Sequence, residues 1–155
     1  KGYALLIDMG IEKAKTFAEM IRRHPDFELT SAPELNILTY RYCPERIQQA
    51  LKWATDEQSQ RINQLLDMVN QLLQKDQREA GKTFVSRTRL HVRDDAQQIA
   101  VLRVVLANPL TTEEILASVL QEQCTIVLQQ DIHELLEQAE SVCAEIVAPP
   151  TTACA

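Results

Sequence analysis

The strongest constraint on this chain is the order in which two periodicities alternate along it. From Tyr3 to Ile21 apolar residues recur at three- and four-residue steps, the buried stripe of an amphipathic helix. Pro25 stops that helix, with Arg22, Arg23 and His24 in the last turn, where cations complement the dipole. Phe27–Ser31 then reads as a short strand, Ala32-Pro33-Glu34 as a turn, and Leu35–Cys43 (LNILTYRYC) as a second strand closed by Pro44. Residues 44–54 carry a brief helical pattern and read as a connector.

A second long helix follows. Thr55 with Gln58 forms a capping box, Ile62, Leu65, Leu66, Val69, Leu72 and Leu73 supply a buried face, and Gly81 stands where a left-handed residue ends a helix. Lys82–Leu90 (KTFVSRTRL) alternates like a strand, His91–Asp95 reads as a turn, and Gln97–Ala107 (QQIAVLRVVLA) as the most hydrophobic strand, closed by Asn108-Pro109. Thr111 with Glu114 predicts a second capping box. The helical run after it has no Gly or Pro until Pro149 and exceeds the usual length, which predicts a break near Glu122–Cys124. Strands in adjacent pairs with helices between them predict an α+β fold, a four-stranded, mainly antiparallel sheet with helices packed on one face.

With 155 residues, the chain is expected to form a single domain over 1–148, with 149–155 as a flexible tail. It begins at Lys1 without Met, and residues 2–7 are already apolar at helical spacing, which reads as a piece of something longer. No signal-peptide pattern and no apolar run of about 18 residues occurs, so no membrane partner is expected. A net charge of −6 argues against nucleic acid. Cys43, Cys124, Cys143 and Cys154 show no CxxC spacing and read as reduced thiols.

Few residues carry chemistry. The three glycines make no phosphate loop, there is no serine nucleophile elbow, and His24, His91 and His133 lack metal-ligand spacing. Alternation puts Arg87, Arg89, His91 and Arg93 on one side of an extended chain, a solvated face or a docking surface for a neighbouring domain. Arg103 is different, because Val101, Leu102, Val104, Val105 and Leu106 surround it. An unpaired guanidinium buried there costs several kcal/mol, so it calls for an anion. That anion is either a carboxylate of the same fold, such as Glu113 or Glu114, or the carboxylate of a ligand held by the planar fork.

Segment 97–111 (QQIAVLRVVLANPLT) resembles the strand and turn near the C-terminus of the group II pyridoxal-phosphate-dependent amino-acid decarboxylases, where a mid-strand Arg precedes Asn-Pro by five residues, as Arg103 precedes Asn108-Pro109. Segments 82–90 and 27–44, and the order of elements to about residue 120, are similar to the C-terminal small domain of that family, closest to the bacterial aspartate, glutamate and 2,4-diaminobutyrate decarboxylases. The 44–54 connector and the helix beyond Gln121 exceed the family pattern.

The resemblance implies a cytoplasmic fold-type-I lyase that removes the α-carboxylate of an acidic amino acid. It implies pyridoxal phosphate held by an N-terminal large domain of the same polypeptide, and a homodimer in the parent enzyme. Arg103 then becomes the substrate-binding residue. None of Lys1, Lys13, Lys15, Lys52, Lys75 and Lys82 follows a His, so the Schiff-base Lys is expected outside this chain, and the isolated chain is expected to be inactive. A non-catalytic interaction domain and the small domain of an aminotransferase are the other readings.

Overall fold

Pro25 and the basic last turn end the first helix where expected, and α1 spans Gly2–Arg23. The computed structural model describes residues 2–91 and 97–146, so Arg93, most of the expected 91–95 turn, and the tail from 149, including Cys154, lie outside the described residues. After α1 come β1 (Phe27–Glu34), β2 (Ile37–Tyr42), α2 (Glu45–Leu51), α3 (Asp56–Ala80), β3 (Ser86–His91), β4 (Gln98–Val105), α4 (Glu113–Ile126) and α5 (Gln130–Ala144). The four strands form one sheet in the order β1-β2-β4-β3, and every neighbouring pair is antiparallel. The α+β architecture is the expected one.

Local departures have physical causes. The first hairpin turns at Leu35-Asn36, not at Ala32–Glu34, with Leu35 in the left-handed region at φ 54°. Pro33 is tolerated within β1 because β1 is an edge strand, where a missing N–H removes no ladder bond. β3 begins at Ser86 and not at Lys82, since α3 captures the preceding residues: Gln74 Nε2 donates to Val85 O (3.2 Å) and Gln77 Nε2 to Thr83 Oγ1 (2.6 Å). The cap of α4 is Thr112, one residue later than expected, and its hydroxyl accepts from Ile115 N. The break in the final helical run falls at residues 127–129, not at Glu122–Cys124. Gln123 is fully buried and hydrogen-bonded from within the helix, so the chain turns only after Ile126. The Thr55–Gln58 capping box and left-handed Gly81 (φ 70°) are as expected.

The core lies on the sheet face that carries Leu38, Tyr40, Tyr42 and Leu102. Phe17 of α1 meets Tyr40 edge-on at 5.6 Å, and Phe27 meets Tyr40 and Tyr42 at 5.8 and 5.3 Å. Such pairs add about 0.5–1.5 kcal/mol each beyond burial. The buried Tyr40 hydroxyl bonds the Gln123 amide, which donates to Gln77 Oε1 at 2.9 Å. The chain of bonds continues through Thr83 to Glu122.

Helix α3 also closes the gap where the β2–β4 ladder stops at Tyr40 and Leu102. Asn70 accepts from Tyr42 N (2.8 Å) and donates to Tyr42 O (3.0 Å), replacing a strand neighbour. Asp67 accepts from Ala100 N at 2.7 Å. Asn63, Asn70 and Gln77, seven residues apart, are all buried. Among the described residues no helix is long and apolar enough to cross a membrane.

Candidate functional site

Alternation along β4 puts Leu102 in the core and sends Arg103 to the opposite face. The register extends that position across the whole sheet: Ser31 pairs with Thr39, Thr39 with Arg103, and Arg103 with Ser86. One guanidinium therefore stands in a row of three hydroxyls. Thr39 is already engaged, with Thr30 and Ser31 hydroxyls each 2.8 Å from its Oγ1. Ser86 turns to the arginine: its hydroxyl donates to Arg103 O (2.9 Å) and accepts from Arg103 Nε (3.2 Å).

The expectation that Arg103 is buried among aliphatic side chains is corrected here, because the residue is exposed. It lies on the face of β4 away from the core, and Val105, two residues on along that same face, is 51% exposed. Among the described residues no carboxylate lies within 4.0 Å of it. Glu113 and Glu114, the expected internal partners, are exposed in the first turn of α4. The Thr112 hydroxyl holds the Glu114 carboxyl below its usual range. Arg103, Ser86, Phe84 and Ile115 line a cleft of about 330 Å³ between the ends of β3 and β4 and the start of α4.

The arginine that is buried is Arg41 of β2, which nothing in the sequence reading singled out. Its Nε donates to Glu28 (2.5 Å), its register partner on β1, and its Nη1 to Asn63 of α3 (2.8 Å). With the hairpin register in hand, that cross-strand pair would have been visible. Arg41 is thus neutralised by its own fold, and Arg103 is not.

The end of the Arg103 strand is anchored by α1. Leu106 N donates to Asn36 O at 2.9 Å, and a Cβ on Gly10 would lie 2.7 Å from Leu106 O, so only glycine allows this approach. Lys13 Nζ donates to Asn108 O (3.2 Å) and Pro109 O (2.6 Å), while Asn108 Oδ1 accepts from Leu110 N. Only the last of these bonds uses a side chain of the turn, and it is the one that calls for Asn at 108.

The other singled-out residues stay apart from this cleft. Arg87, Arg89 and His91 alternate on the exposed side of β3, and Arg89 reaches Asp67 at 3.5 Å. Among the described residues no group of His, Cys, Asp and Glu is placed to hold a metal. Cys43, Cys124 and Cys143 are free, and burial pushes the Cys43 thiol up to about 12.

No family model matches the chain. Its architecture is nevertheless that of decarboxylase domains of known structure. It aligns with the glutamate decarboxylase domain of the diaminobutyrate-pyruvate transaminase and L-2,4-diaminobutyrate decarboxylase from Vibrio parahaemolyticus at TM-score 0.58 and 21% identity, over 79% of this chain and 22% of that one. Mouse CSAD in apo form aligns at TM-score 0.64 and 20% identity (78% and 23%), and Oryza sativa TDC with PLP and tryptamine at 0.55 and 21% (78% and 22%). At these identities the likeness establishes the fold. In sequence, the chain is 53% identical over 132 residues to the aspartate 1-decarboxylase of Aliivibrio fischeri, covering 84% of this chain and 24% of that protein. The chain thus spans about a quarter of the length of the proteins it matches.

Proposed function

We propose that this chain is the C-terminal small domain of a cytoplasmic, homodimeric, pyridoxal-phosphate-dependent decarboxylase, and that Arg103 grips a carboxylate of an acidic amino-acid substrate. The observation that carries the reading is an exposed guanidinium, on a residue that borders a cleft, with no carboxylate of the described fold within 4.0 Å of it. Its Nη groups make no hydrogen bond among the described residues, which leaves a planar fork available for a bidentate carboxylate. The Aliivibrio fischeri relative, an aspartate 1-decarboxylase by name, supports an acidic substrate, and the rice structure with PLP supports the cofactor.

A partner large domain is supported by the apolar end of the molecule. Leu6, Ile7, Leu35, Ile37, Val105 and Leu110 are all 41–78% exposed. Gly10 against Asn36 and Leu106 brings α1, the first hairpin turn and the end of β4 together there. Contiguous apolar exposure of this kind marks an interface, and it favours this end over the Arg87–His91 stripe as the docking surface.

Among the described residues none builds a cradle for pyridoxal phosphate. None of Lys13, Lys15, Lys52, Lys75 and Lys82 follows a histidine, and Lys13 is committed to the Asn-Pro turn. In this reading the group belongs to the large domain, and the isolated chain is inactive. What Arg103 contributes is placement: it orients the substrate so that its α-carboxylate can depart. A clamp on the side-chain carboxylate leaves that departing group free, which favours an acidic substrate.

Arg103→Ala in the intact enzyme should lower kcat/KM for the acidic substrate roughly 100–1,000-fold, or about 3–4 kcal/mol, with the cofactor's absorbance unchanged. Arg103→Lys should recover only part of the loss, since an ammonium cannot make the fork. Activity equal to the native enzyme in Arg103→Ala refutes the grip. Release of keto acid in place of CO2 would make the parent an aminotransferase.

A further inference from the structure

A guanidinium has two edges on which a carboxylate can lie flat: the side edge, formed by Nε with one Nη, and the end edge, formed by the two Nη groups. Resting on the carboxylate-grip reading, we propose that Ser86 is a positioning residue that closes the side edge of Arg103 and commits it to end-on capture of the substrate carboxylate.

The geometry is a closed ring between two register partners on adjacent strands. The single hydroxyl hydrogen of Ser86 is spent on Arg103 O at 2.9 Å. A lone pair of the same oxygen therefore faces Arg103 Nε, 3.2 Å away. Ser86 is itself held, being half-buried at the first position of β3. The residues just before it are tied to α3 by Gln74 on Val85 O and Gln77 on Thr83.

On the other flank of Arg103, Thr39 has its hydroxyl committed to Thr30 and Ser31. Ser86 is thus the one side chain among the described residues that hydrogen-bonds the guanidinium. End-on presentation places the bound carboxylate along the arginine's long axis and away from β4, which selects for the length of a dicarboxylic substrate. Without the serine, both edges are open, and the carboxylate settles in more than one pose.

The test uses the intact holoenzyme and four variants: Ser86→Ala, Ser86→Thr, Arg103→Ala and the Ser86→Ala/Arg103→Ala double. Ser86→Ala should lower kcat/KM for the acidic substrate roughly tenfold, the scale of one hydrogen bond to a charged group, with the melting temperature unchanged. Ser86→Thr, which keeps the hydroxyl, should restore activity to within about threefold, a small residual on the same scale. The double variant should be no worse than Arg103→Ala, because a residue acting through Arg103 has nothing left to position.

Additive losses in the double variant overturn the inference, as does a Ser86→Thr enzyme as impaired as Ser86→Ala. Full activity in Ser86→Ala beside a crippled Arg103→Ala removes the serine's role and leaves the grip intact. Full activity in Arg103→Ala removes the grip itself.

Discussion

Replacing Asn70 by leucine isolates what one side chain does for the sheet. Asn70 is fully buried and stands in for a missing strand neighbour, taking both the N–H and the C=O of Tyr42. Leucine keeps the same number and branching of side-chain heavy atoms and is no smaller, so no cavity cost enters. What changes is that two buried backbone groups lose their partners, at about 1–3 kcal/mol each. The third bond, from Asn70 to Leu66 O, involves a carbonyl already inside a helix, and its loss adds little. Leucine regains about 0.5 kcal/mol through better helix propensity.

The net expectation is a loss of about 3 kcal/mol, against a total stability of about 5–15 kcal/mol for a domain. For this length that corresponds to a melting temperature lower by roughly 10 °C. Urea unfolding followed by far-UV circular dichroism measures it directly, with an unchanged m-value showing that both states keep their compactness. Asn70→Asp keeps the acceptor but sets a second oxygen against Tyr42 O, and should be at least as damaging. A loss below about 1 kcal/mol for Asn70→Leu would mean that water or a local shift satisfies Tyr42, and the argument for α3 as a sheet neighbour would fail.

Further outcomes follow from the same geometry. Gly10→Ala in mid-helix would ordinarily stabilise by roughly 0.5–1 kcal/mol. Here the added Cβ meets the backbone oxygen of Leu106 at 2.7 Å, so the variant should instead melt lower, and a higher melting temperature refutes the close approach. Burial holds the Asp67 carboxyl above its ordinary range despite the Ala100 N–H and Arg89 beside it. The folded chain therefore keeps a proton there at pH values where the unfolded chain, with a pKa of about 3.9, has released it. That contribution is lost as pH rises through the raised folded-state pKa, so the stability of Asp67→Asn relative to the native chain should improve as pH rises above about 4. A pH-independent difference in chemical denaturation contradicts this.

Much of the fold was legible because the chain's local signals agree with its global one. The Thr55–Gln58 box and Gly81 bound α3 to within a residue, since capping is a local hydrogen-bond requirement. The misplaced features are those decided elsewhere in the molecule. Pro33 looks like a turn until β1 is known to be an edge, and Leu35 takes a left-handed conformation that no glycine announces. Residues 82–85 alternate like a strand, but α3 holds them outside the ladder. At the candidate site, the apolar run around Arg103 correctly marked a strand but overstated its burial, because the apolar neighbours alternate between the two faces and Arg103 falls on the one away from the core. Arg41 passed unnoticed for the converse reason. Its neutralising carboxylate, Glu28, is thirteen residues away in sequence and becomes adjacent only through the hairpin register.

The amides at Asn63, Asn70 and Gln77 have a consequence for uniqueness. Aliphatic surfaces slide over one another at modest expense, and a long helix held by them alone could settle one turn up or down. Each of these side chains meets a specific counterpart: Arg41, the main chain of Tyr42, and Thr83 with Gln123. Shifting α3 by a turn would strand all three simultaneously. Its axial setting is therefore dictated by its polar teeth, and with it the lie of the β3 end that carries Ser86.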